Sequence, residues 1–526
     1  MRDTKAYAFS SHGPWTIDPA ELCWLRCVDQ RRQQLRALVP VLTQRRGTPP
    51  VRRFAKAALS LGGALVRWYA KERRGGGSVS RAGLSQRLRD AFEELGPPYI
   101  KLGQILSSGH GIFPDELVSA FRTLRDRVTP EPFSAVRRVL EEDLGSSLED
   151  VFASFAAEPM AAASIAQVHQ ARLRTGEHVV VKIQRPQVAH LVRQDLQAMA
   201  WIAPWLVGRI PVAALANPPA LVELFAETIL EELDFRLEAA NMLDIAALLA
   251  ATGQRNIIVP RPHPIYVTER VLVMEQIDGM PYEQADAVRA AGIDTAALLR
   301  TLVVCLLEGA MLHGVFHGDL HGGNMVVTPS GQIGLFDYGI TARMDHNQRL
   351  AFLRLMVHGM LGNVRAQIAA SKDLGALSPT TDIDEVVRKL KLDQPVVDPT
   401  ALSGHELARE IQYLTKTLLE FGAKLPKPLM LFVKNLIFLD DAVAHLAPEV
   451  NIFTEVLRIY AYFAEAYSER IAEEIGIDLS QYQFDLETFK AGLGLRPEVE
   501  HITHRDLEQR RRVIRAKLTE HDQRSA

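Results

Sequence analysis

Apolar residues recur at helical spacing within the first 95 residues of the chain. The clearest case is a stretch with apolar positions at Phe54, Ala57, Ala58, Leu61, Leu65, Trp68 and Tyr69. Basic residues stand at both of its ends: Arg52, Arg53, Lys56, Arg67 and Lys71. Such a helix can lie on a membrane surface or pack on its own protein, and we expect the packed arrangement. The glycine-rich run from Arg73 to Ser78 predicts a linker.

The pattern changes to that of strands between residues 150 and 185. The run Val179–Ile183 is β-branched apart from Lys182, and a turn at Thr175 and Gly176 precedes it, which predicts a hairpin in a small sheet. Helical spacing returns from residue 190 to 250. The stretch Val267–Ile277 predicts one further strand.

Most segments after Thr295 again have helical spacing. The exception is Gly314–Gly339, where glycine, aspartate, histidine and asparagine predict loops and short strands. Arg505–Arg524 is highly charged, with only a thin apolar stripe. The whole pattern predicts an α+β fold with a small antiparallel sheet, a mostly helical part, and helical extensions at both ends.

Composition limits the class of protein, its partners and the compartment in which it is expected. With 526 residues the chain is too long for one small core, and its 47% hydrophobic and 23% charged residues are ordinary for a globular protein. A net charge of -3 provides no general field for nucleic acid, so we expect no such partner. The three cysteines form no disulfide pattern and indicate a reducing compartment.

Membrane-spanning segments are not expected. The first 13 residues have no signal-peptide core, and Arg209 and Pro211 interrupt the apolar stretch Met199–Ala216. We expect a cytoplasmic protein, or one held peripherally on the inner face of a membrane.

The densest polar section predicts the centre of a phosphoryl-transfer site. Such a site needs one carboxylate to orient the attacking hydroxyl or water, and oxygen ligands for Mg²⁺. Asp319 precedes Asn324 by five positions, and Asp337 follows after thirteen more, which is the spacing of a kinase catalytic loop and metal loop. Gly339 allows a sharp turn beside the metal. We therefore assign Asp319 to the nucleophile, and Asn324 and Asp337 to the Mg²⁺ of ATP.

Lys182 supplies the second half of the predicted ATP site. It ends a run of three valines, the arrangement in which a kinase lysine reaches the α- and β-phosphates. Its flexible stem needs a carboxylate to fix it. Glu231, Asp234 and Glu238 are candidates because their spacing predicts one shared helix face, although a solvated acidic helix would look the same.

An alanine-rich run stands where a kinase has its glycine-rich loop over the phosphates: Ala161, Ala162, Ala163 and Ser164. Alanine does not share the freedom of glycine at positive φ, so we expect a stiffer phosphate cover. Glu275 ends the next predicted strand, where a hinge between two lobes belongs. Backbone groups there are predicted to pair with adenine.

Several short motifs follow one another in a fixed order: Lys101-Leu102-Gly103-Gln104, the alanine run, Gln167-Val168-His169, Lys182 with Arg185-Pro186, Glu232 with Asp234, Glu238, and Met274 to Gly279. In this order they resemble the UbiB family, also called aarF-domain-containing kinases (ADCK), over roughly residues 90–455. The resemblance implies a two-lobed protein-kinase-like fold. It places Glu238 in the position of the helix glutamate that pairs with the lysine.

The resemblance also implies what the site does. The segment of Lys101 and Gln104 is expected to fold over the active site, where a protein kinase binds peptide. With Glu232 and Asp234, these two residues are expected to face the nucleotide pocket. This implies ATPase or lipid-linked chemistry that supports ubiquinone-like metabolism, usually at membranes, with a lipid or quinone precursor as a further ligand.

Pattern and resemblance together divide the chain into five expected parts. These are an N-terminal helical extension with linker (1–95), a helical segment over the active site (96–130), an N-lobe with a helical insertion (131–279), a C-lobe (280–455) and a charged helical tail (456–526). Family members that are integral to membranes end in apolar helices, whereas this chain ends in charged residues such as Arg510–Arg512. The oligomeric state stays open.

Two other functions fit the same residues. The loop from His317 to Asn324 also resembles that of choline and aminoglycoside kinases, which favours a small-molecule phosphotransferase. A pseudokinase scaffold would bind nucleotide without turnover. Retention of Lys182, Asp319, Asn324 and Asp337 argues against the scaffold.

Overall fold

The computed structural model of the chain describes residues 7–11, 13–45, 47–73, 77–107, 115–124, 129–206, 218–392, 394 and 397–525. Residues 74–76 of the predicted linker and 207–216 of the apolar stretch lie outside these ranges. On either side of the linker the described residues are helical.

The part before the sheet is built from helices. After a 3₁₀ turn at Cys23–Cys27 come α1 (Val28–Thr43), α2 (Val51–Lys71), α3 (Gly77–Leu95), α4 (Pro97–Ser107) and α5 (Asp115–Arg122). Helix α4 begins at Pro97, whose fixed φ suits a first turn. A Cβ at Gly103 would overlap Leu124 and lie 2.7 Å from Cδ1 of Phe121, so glycine lets α4 pack closely on α5 and the turn after it.

Helix α2 packs on its own protein, as expected. Ala57 and Ala64 are fully buried, and α2 contacts α3 and α8. Its outer face nevertheless carries large apolar side chains, since Leu59 is 75% exposed and Val66 is 68% exposed.

The N-lobe contains an antiparallel sheet preceded by two helices. Its elements are α6 (Phe133–Leu144), α7 (Leu148–Val151), β1 (Phe152–Phe155), β2 (Ala161–Ala162), β3 (Ala166–Leu173) and β4 (His178–Gln184). Strands β6 (Pro262–Val267) and β7 (Val271–Glu275) complete it in the order β1-β3-β4-β7-β6, with β2 on β3. Val179, Val181 and Ile183 point into the core, so the alternation of β4 turns Lys182 to the opposite face.

The strand predicted over Val267–Ile277 is present as β7, but it is shorter than predicted and begins only at Val271. The chain turns between β6 and β7, where the N–H of Thr268 donates to the carbonyl of Val271 at 2.8 Å. No glycine or proline marks this turn; its sequence signal is the polar triplet Thr268, Glu269 and Arg270. The turn is fixed by Arg270, whose guanidinium pairs with Asp143.

Three helices lie between β4 and the next strand: α8 (Val188–Leu206), α9 (Pro218–Glu232) and α10 (Phe235–Ala251). The prediction that Glu231, Asp234 and Glu238 share one helix face is wrong, because α9 ends before Asp234. The Asp234 side chain accepts from the N–H of Arg236 and caps α10.

The C-lobe is mostly helical with short strands. Its strands are β5 (Ile257–Ile258), β8 (Met280–Pro281), β9 (Val315–His317), β10 (Met325–Val327), β11 (Ile333–Leu335) and β12 (Thr341–Arg343). Its first helices are α11 (Ala285–Ala290), α12 (Thr295–Glu308), α13 (His346–Met360), α14 (Val364–Asp373) and α15 (Ile383–Lys389). A 3₁₀ turn at Pro399–Ala401 leads to α16 (Gly404–Glu420), α17 (Lys427–Leu446), α18 (Ile452–Ile475), α19 (Leu486–Gly492) and α20 (His504–Ser525).

Helix α12 continues through a π turn at Gly309–His313. Within the described residues this one stretch, Thr295–His313, is long and apolar enough to cross a membrane, with a mean hydropathy of 1.7, and 61% of it is buried in the fold. It packs against α17 and α18, as a core helix does. The charged helix α20 packs on α3, α16 and α17.

Candidate functional site

A lysine and two carboxylates meet between the lobes. Lys182 Nζ lies 2.7 and 2.9 Å from the two carboxylate oxygens of Glu238 and 3.1 Å from Oδ1 of Asp337. The three side chains come from β4, from α10 and from the loop after β11, so the contact joins the N-lobe to the C-lobe. The sequence predicted both the pairing with Glu238 and the approach of Asp337.

Charge and burial set the protonation of this group. Burial opposes the Lys182 ammonium, but Asp337 and Glu238 outweigh it and raise the lysine pKa. Burial raises the pKa of Glu238 to about 7, since Lys182 offsets only part of the desolvation. Burial would also raise the pKa of Asp337, but Lys182 and Lys101 hold that pKa well below its ordinary value. Asp337 is therefore ionised at neutral pH.

The loop predicted to be catalytic, which carries Asp319, is held by a buried histidine. Nδ1 of His317 accepts the N–H of Asp319 at 3.1 Å, and Nε2 donates to the carbonyl of Phe336 at 3.1 Å. These two bonds require a neutral ring with its proton on Nε2, and burial lowers the pKa of His317. Because Phe336 precedes Asp337, this one ring ties the catalytic loop to the metal loop.

Helix α17 supplies two site residues that sequence reasoning missed. Lys434 Nζ lies 2.8 Å from Oδ1 of Asp319. Asn435 is fully buried; it donates to the carbonyl of His317 and accepts the N–H of Leu320 at 3.0 Å. The signal was a pair of polar residues inside the apolar run of α17.

Lys434 also governs the charge of Asp319. Burial would raise the pKa of Asp319, but the ammonium groups of Lys434 and Lys101 outweigh it and hold that pKa below its ordinary value. Asp319 is thus an ionised hydrogen-bond acceptor at neutral pH.

The residues assigned to the metal offer suitable oxygen ligands. Asn324 Nδ2 donates to the backbone carbonyl of Asp319 at 3.1 Å, and among the described contacts its Oδ1 takes no hydrogen bond. Asp337 is 46% exposed and holds a left-handed φ of 56°, which is unusual for a residue other than glycine. A carboxylate and an amide oxygen on adjoining loops are the hard donors that Mg²⁺ prefers, so these side chains fit a Mg²⁺ of ATP.

The segment over the site brings a second lysine to the cleft. Lys101 Nζ on α4 lies 2.9 Å from Oε1 of Glu232, the last residue of α9. Burial raises the pKa of Glu232, and the carboxylates around Lys101 raise the lysine pKa in spite of its burial. A Cβ at Gly339 would lie 3.3 Å from Cγ of Glu232, so glycine admits this carboxylate beside Asp337. Gln104, one turn after Lys101 on α4, is half-buried.

The alanine run forms a short, anchored cover. Ala161 and Ala162 make up β2, and the N–H of Ala163 donates to the carbonyl of Ala166 at 2.8 Å. Arg185 Nε donates to the Ala163 carbonyl at 2.9 Å. The same guanidinium pairs with Glu131 and donates to the Thr129 carbonyl, which ties the loop to the segment after α5. Ser164 beside it is buried.

Two predicted nucleotide-facing residues have their carboxylates engaged elsewhere. Asp234 is 1% exposed and, besides capping α10, pairs with Arg31 of α1 at 2.9 Å and with Arg236 at 2.7 Å. Glu275 ends β7 as predicted, but its carboxylate accepts from Ser10 and from the N–H of Arg261. The N-terminal segment thus lies against the predicted hinge.

Fold and site together define a kinase-like protein, and the comparisons agree. The profile of the ABC1 atypical kinase-like domain matches residues 123–371. The Marinobacter nauticus protein named "Probable protein kinase UbiB" is 30% identical over 380 residues, which are 70% of this chain and 68% of its own length. The chain belongs to the ABC1 family of atypical kinase-like proteins, which includes UbiB and aarF-domain-containing kinases.

Other relatives span a similar part of the chain. Uncharacterized protein Rv0647c of Mycobacterium tuberculosis is 36% identical over 72% of this chain and 78% of its own length. Among solved structures, the complex of Rv3197 with erythromycin, also from M. tuberculosis, is similar with a TM-score of 0.38 and 25% identity, over 62% of this chain and 89% of that one.

Proposed function

We propose that this protein binds Mg-ATP in the cleft between its lobes and hydrolyses ATP or transfers its γ-phosphate. The observation that carries the proposal is the contact of Lys182 with both Glu238 and Asp337. Phosphoryl transfer depends on positioned charge more than on covalent chemistry, and these groups, with Asp319 and Asn324, supply it.

Each residue then has one role. Lys182 holds the α- and β-phosphates, and Glu238 fixes the direction of its ammonium. Asp337 and Asn324 hold Mg²⁺, which neutralises charge on the phosphate oxygens when it is bound. Asp319 accepts a hydrogen bond from the attacking hydroxyl or water, and Lys434 positions Asp319 and keeps it ionised. The alanine run covers the phosphates, with Ser164 at its end.

The neighbouring groups shape the pocket. Lys101 and Glu232, with Gln104 on the same helix as Lys101, close the side where a peptide would enter. The backbone beside Glu275 pairs with adenine. Asp234 acts on the pocket indirectly, because it caps the helix that carries Glu238.

We place the biological role in isoprenoid-quinone or lipid metabolism, in line with the UbiB relatives. An apolar cavity of about 150 Å³ lies among α2 to α5, α8 and α9. Tyr99, Leu102 and Leu106 of α4 line it, together with Met199 and Leu221. Since α4 also carries Lys101 to the nucleotide site, a lipid or quinone precursor in this cavity would contact the helix that covers ATP.

We also propose that α2 contacts a membrane surface, where such a lipid would be found. Its outward stripe includes Leu59 and Val66, and exposed basic residues Arg52 and Arg67 flank the stripe. This arrangement suits a helix lying at an anionic surface. Arg53 points inward instead, to the buried carboxylate of Asp195.

One assay tests the proposal against its alternatives. ATP turnover by the purified protein is measured with and without anionic vesicles, and with small alcohols such as choline as acceptors. We expect Mg-dependent ADP release that vesicles increase and that needs no phosphorylated product. ADP release that depends on an acceptor would favour a small-molecule phosphotransferase. Nucleotide binding without any turnover would favour a pseudokinase scaffold.

A further inference from the structure

A second cavity, lined by polar as well as apolar side chains, lies apart from the predicted nucleotide contacts. Its volume is about 540 Å³, and it is enclosed by α1, α9, α10, β12 and the first turns of α13 and α17. No predicted ATP or Mg²⁺ ligand is among its lining residues. The proposed function therefore assigns no role to the residues that line this cavity.

Four basic side chains line this cavity: Arg32 and Arg36 of α1, Arg343 of β12, and Lys427 of α17. Arg32 and Arg36 are one helical turn apart, so they share a face. Arg32 and Arg343 both donate to the same oxygen, Oδ1 of Asn241, at 2.9 and 2.7 Å. Two guanidinium groups thus converge on one neutral acceptor in a partly buried place, and they share the carboxylate of Asp244.

The acidic groups around the cavity are engaged or lie at its rim. Asp244 pairs with Arg343 and lies 3.9 Å from Arg32, which is also 3.5 Å from Asp29. Glu231 lies 3.6 Å from Lys427. Asp345 accepts the N–H of Gln348 at 2.9 Å as the cap of α13. Glu227 is exposed at the edge.

Arginine donors without a full carboxylate partner nevertheless remain on one wall of the cavity. Among the described contacts Arg36 has no carboxylate partner, and Arg32 has its shortest bond to a neutral amide. Helix α17 begins at Lys427 without a side-chain cap, and although Pro428 has no N–H, the other N–H groups of the first turn add partial positive charge near the same wall. Arginine forks with helix N–H groups are the donors that phosphate oxygens prefer.

We propose that this cavity binds a phosphate-bearing anion and that its occupation strengthens Mg-ATP binding. A phosphate ester placed between Arg32, Arg36 and Arg343 would accept hydrogen bonds from three guanidinium groups and bring negative charge to Arg36, which has no carboxylate partner among the described contacts. A soluble phosphate ester and a phospholipid headgroup share this chemistry.

The coupling runs through a single side chain. Asn241, which accepts from Arg32 and Arg343, donates through Nδ2 to the carbonyl of Tyr338 at 2.8 Å. Tyr338 follows Asp337 in the metal loop, and Asn241 lies one turn after Glu238 on α10. An anion that fixes the two arginines thereby fixes Asn241, the metal loop and the helix that directs Lys182. By linkage, bound Mg-ATP strengthens anion binding by the same factor.

The test measures two affinities on the full chain. Binding of glycerol 3-phosphate is measured by calorimetry, and binding of a fluorescent ATP analogue with Mg²⁺ is measured with and without that ester. We expect Arg32→Gln and Arg36→Gln each to lower the affinity for glycerol 3-phosphate at least tenfold. The ester should raise the affinity for the ATP analogue several-fold in the wild type and should leave that affinity unchanged in both variants. Arg36→Gln alters an exposed side chain outside the described ion pairs, so it keeps the test decisive if Arg32→Gln fails to fold.

Controls separate this cavity from the nucleotide site. Lys182→Met should retain ester binding, and Arg512→Gln, which changes an exposed arginine on α20, should behave as the wild type. Vesicles of phosphatidylcholine with and without phosphatidic acid form a second arm. Binding of the free ester identifies a soluble ligand, whereas Arg36-dependent binding to phosphatidic acid alone identifies a lipid headgroup.

Three results would overturn the inference. The first is equal ester affinity in wild type and Arg36→Gln, together with vesicle binding that does not depend on Arg36. The second is loss of ester binding in Lys182→Met. The third is ester binding that leaves the affinity for the ATP analogue unchanged. The effect on ATP rests on the proposed function. Failure of that function is recognised separately, since the analogue would then bind neither with nor without the ester.

Discussion

Lys434 Nζ lies 2.8 Å from Oδ1 of Asp319, so the proposed nucleophile-orienting carboxylate is paired with a cation from a helix more than a hundred residues further along the chain. The pair keeps Asp319 ionised in a buried position. Asn435 beside Lys434 holds the two ends of the same loop. Helix α17 thus positions the catalytic loop as well as completing the C-lobe.

Replacing Lys434 should affect turnover more than binding. Lys434→Met leaves Asp319 without its partner and raises its pKa, so we expect kcat to fall by about tenfold or more while nucleotide affinity changes by less than about threefold. Lys424→Met removes an exposed lysine just before α17 and serves as the control. Steady-state ATP turnover and nucleotide titration measure the two effects, and an unchanged kcat in Lys434→Met would refute the role of this lysine.

The alanine cover gives a second prediction. Ala162→Gly or Ala163→Gly adds backbone freedom to a loop that is anchored by Arg185, so affinity or the preference between ATP and ADP should change. Titration of each variant with both nucleotides measures this. If the binding curves for ATP and ADP both match the wild type, the run at 161–164 is not the phosphate cover.

Packing of the segment over the site can be tested through Gly103. A methyl group there would overlap Leu124 and crowd Phe121, so Gly103→Ala should lower the free energy of unfolding by about 1–3 kcal/mol. Gly62→Ala is the matched control. It lies inside α2 with no atom within 4 Å of the added Cβ, and should stabilise the protein by up to about 1 kcal/mol. Urea unfolding distinguishes the two, and equal effects of both changes would contradict the close packing of α4.

A half-buried histidine in the N-lobe predicts a pH dependence. His263 packs against Trp15 and Tyr266, its Nδ1 accepts the N–H groups of Ile265 and Tyr266, and burial lowers its pKa to about 4. The folded state favours the neutral ring, so its contribution to stability is complete above the unfolded-state pKa of about 6.5 and is lost as pH falls towards 4.

Wild type should therefore lose more stability between pH 7.5 and pH 5 than His263→Asn does. The urea midpoint at both pH values measures the difference. His190→Asn, which changes an exposed histidine on α8, should keep the wild-type dependence. A His263→Asn variant that loses as much stability as the wild type would show that this ring does not titrate as described.

Local spacing predicted which polar side chains line the cleft, because most of them lie on short stretches of the chain. Asp319, Asn324 and Asp337 stand on adjoining loops, and Lys182 follows from the alternation of one strand, so short stretches reveal them. The contact of Lys182 with Glu238 could be predicted from the resemblance and is present at 2.7 Å.

Contacts made by distant helices could not be predicted in this way. Lys434 is one polar residue in an apolar helix, and only tertiary packing brings it to Asp319. The helix break before Asp234 was hidden because the flanking residues keep helical spacing, while the deciding interactions are the cap and Arg31 of α1. Partners on α1 leave no trace in the local pattern.

Paired substitutions at the two aspartates test the central claim most directly. Mg-dependent ATP binding and ATP turnover are measured for wild type, Asp337→Asn and Asp319→Asn. We predict that Asp337→Asn loses Mg-dependent nucleotide binding, because a metal carboxylate is removed, and that Asp319→Asn binds nucleotide but loses turnover. Wild-type turnover in both variants would contradict the assignment of this cleft as an ATP site.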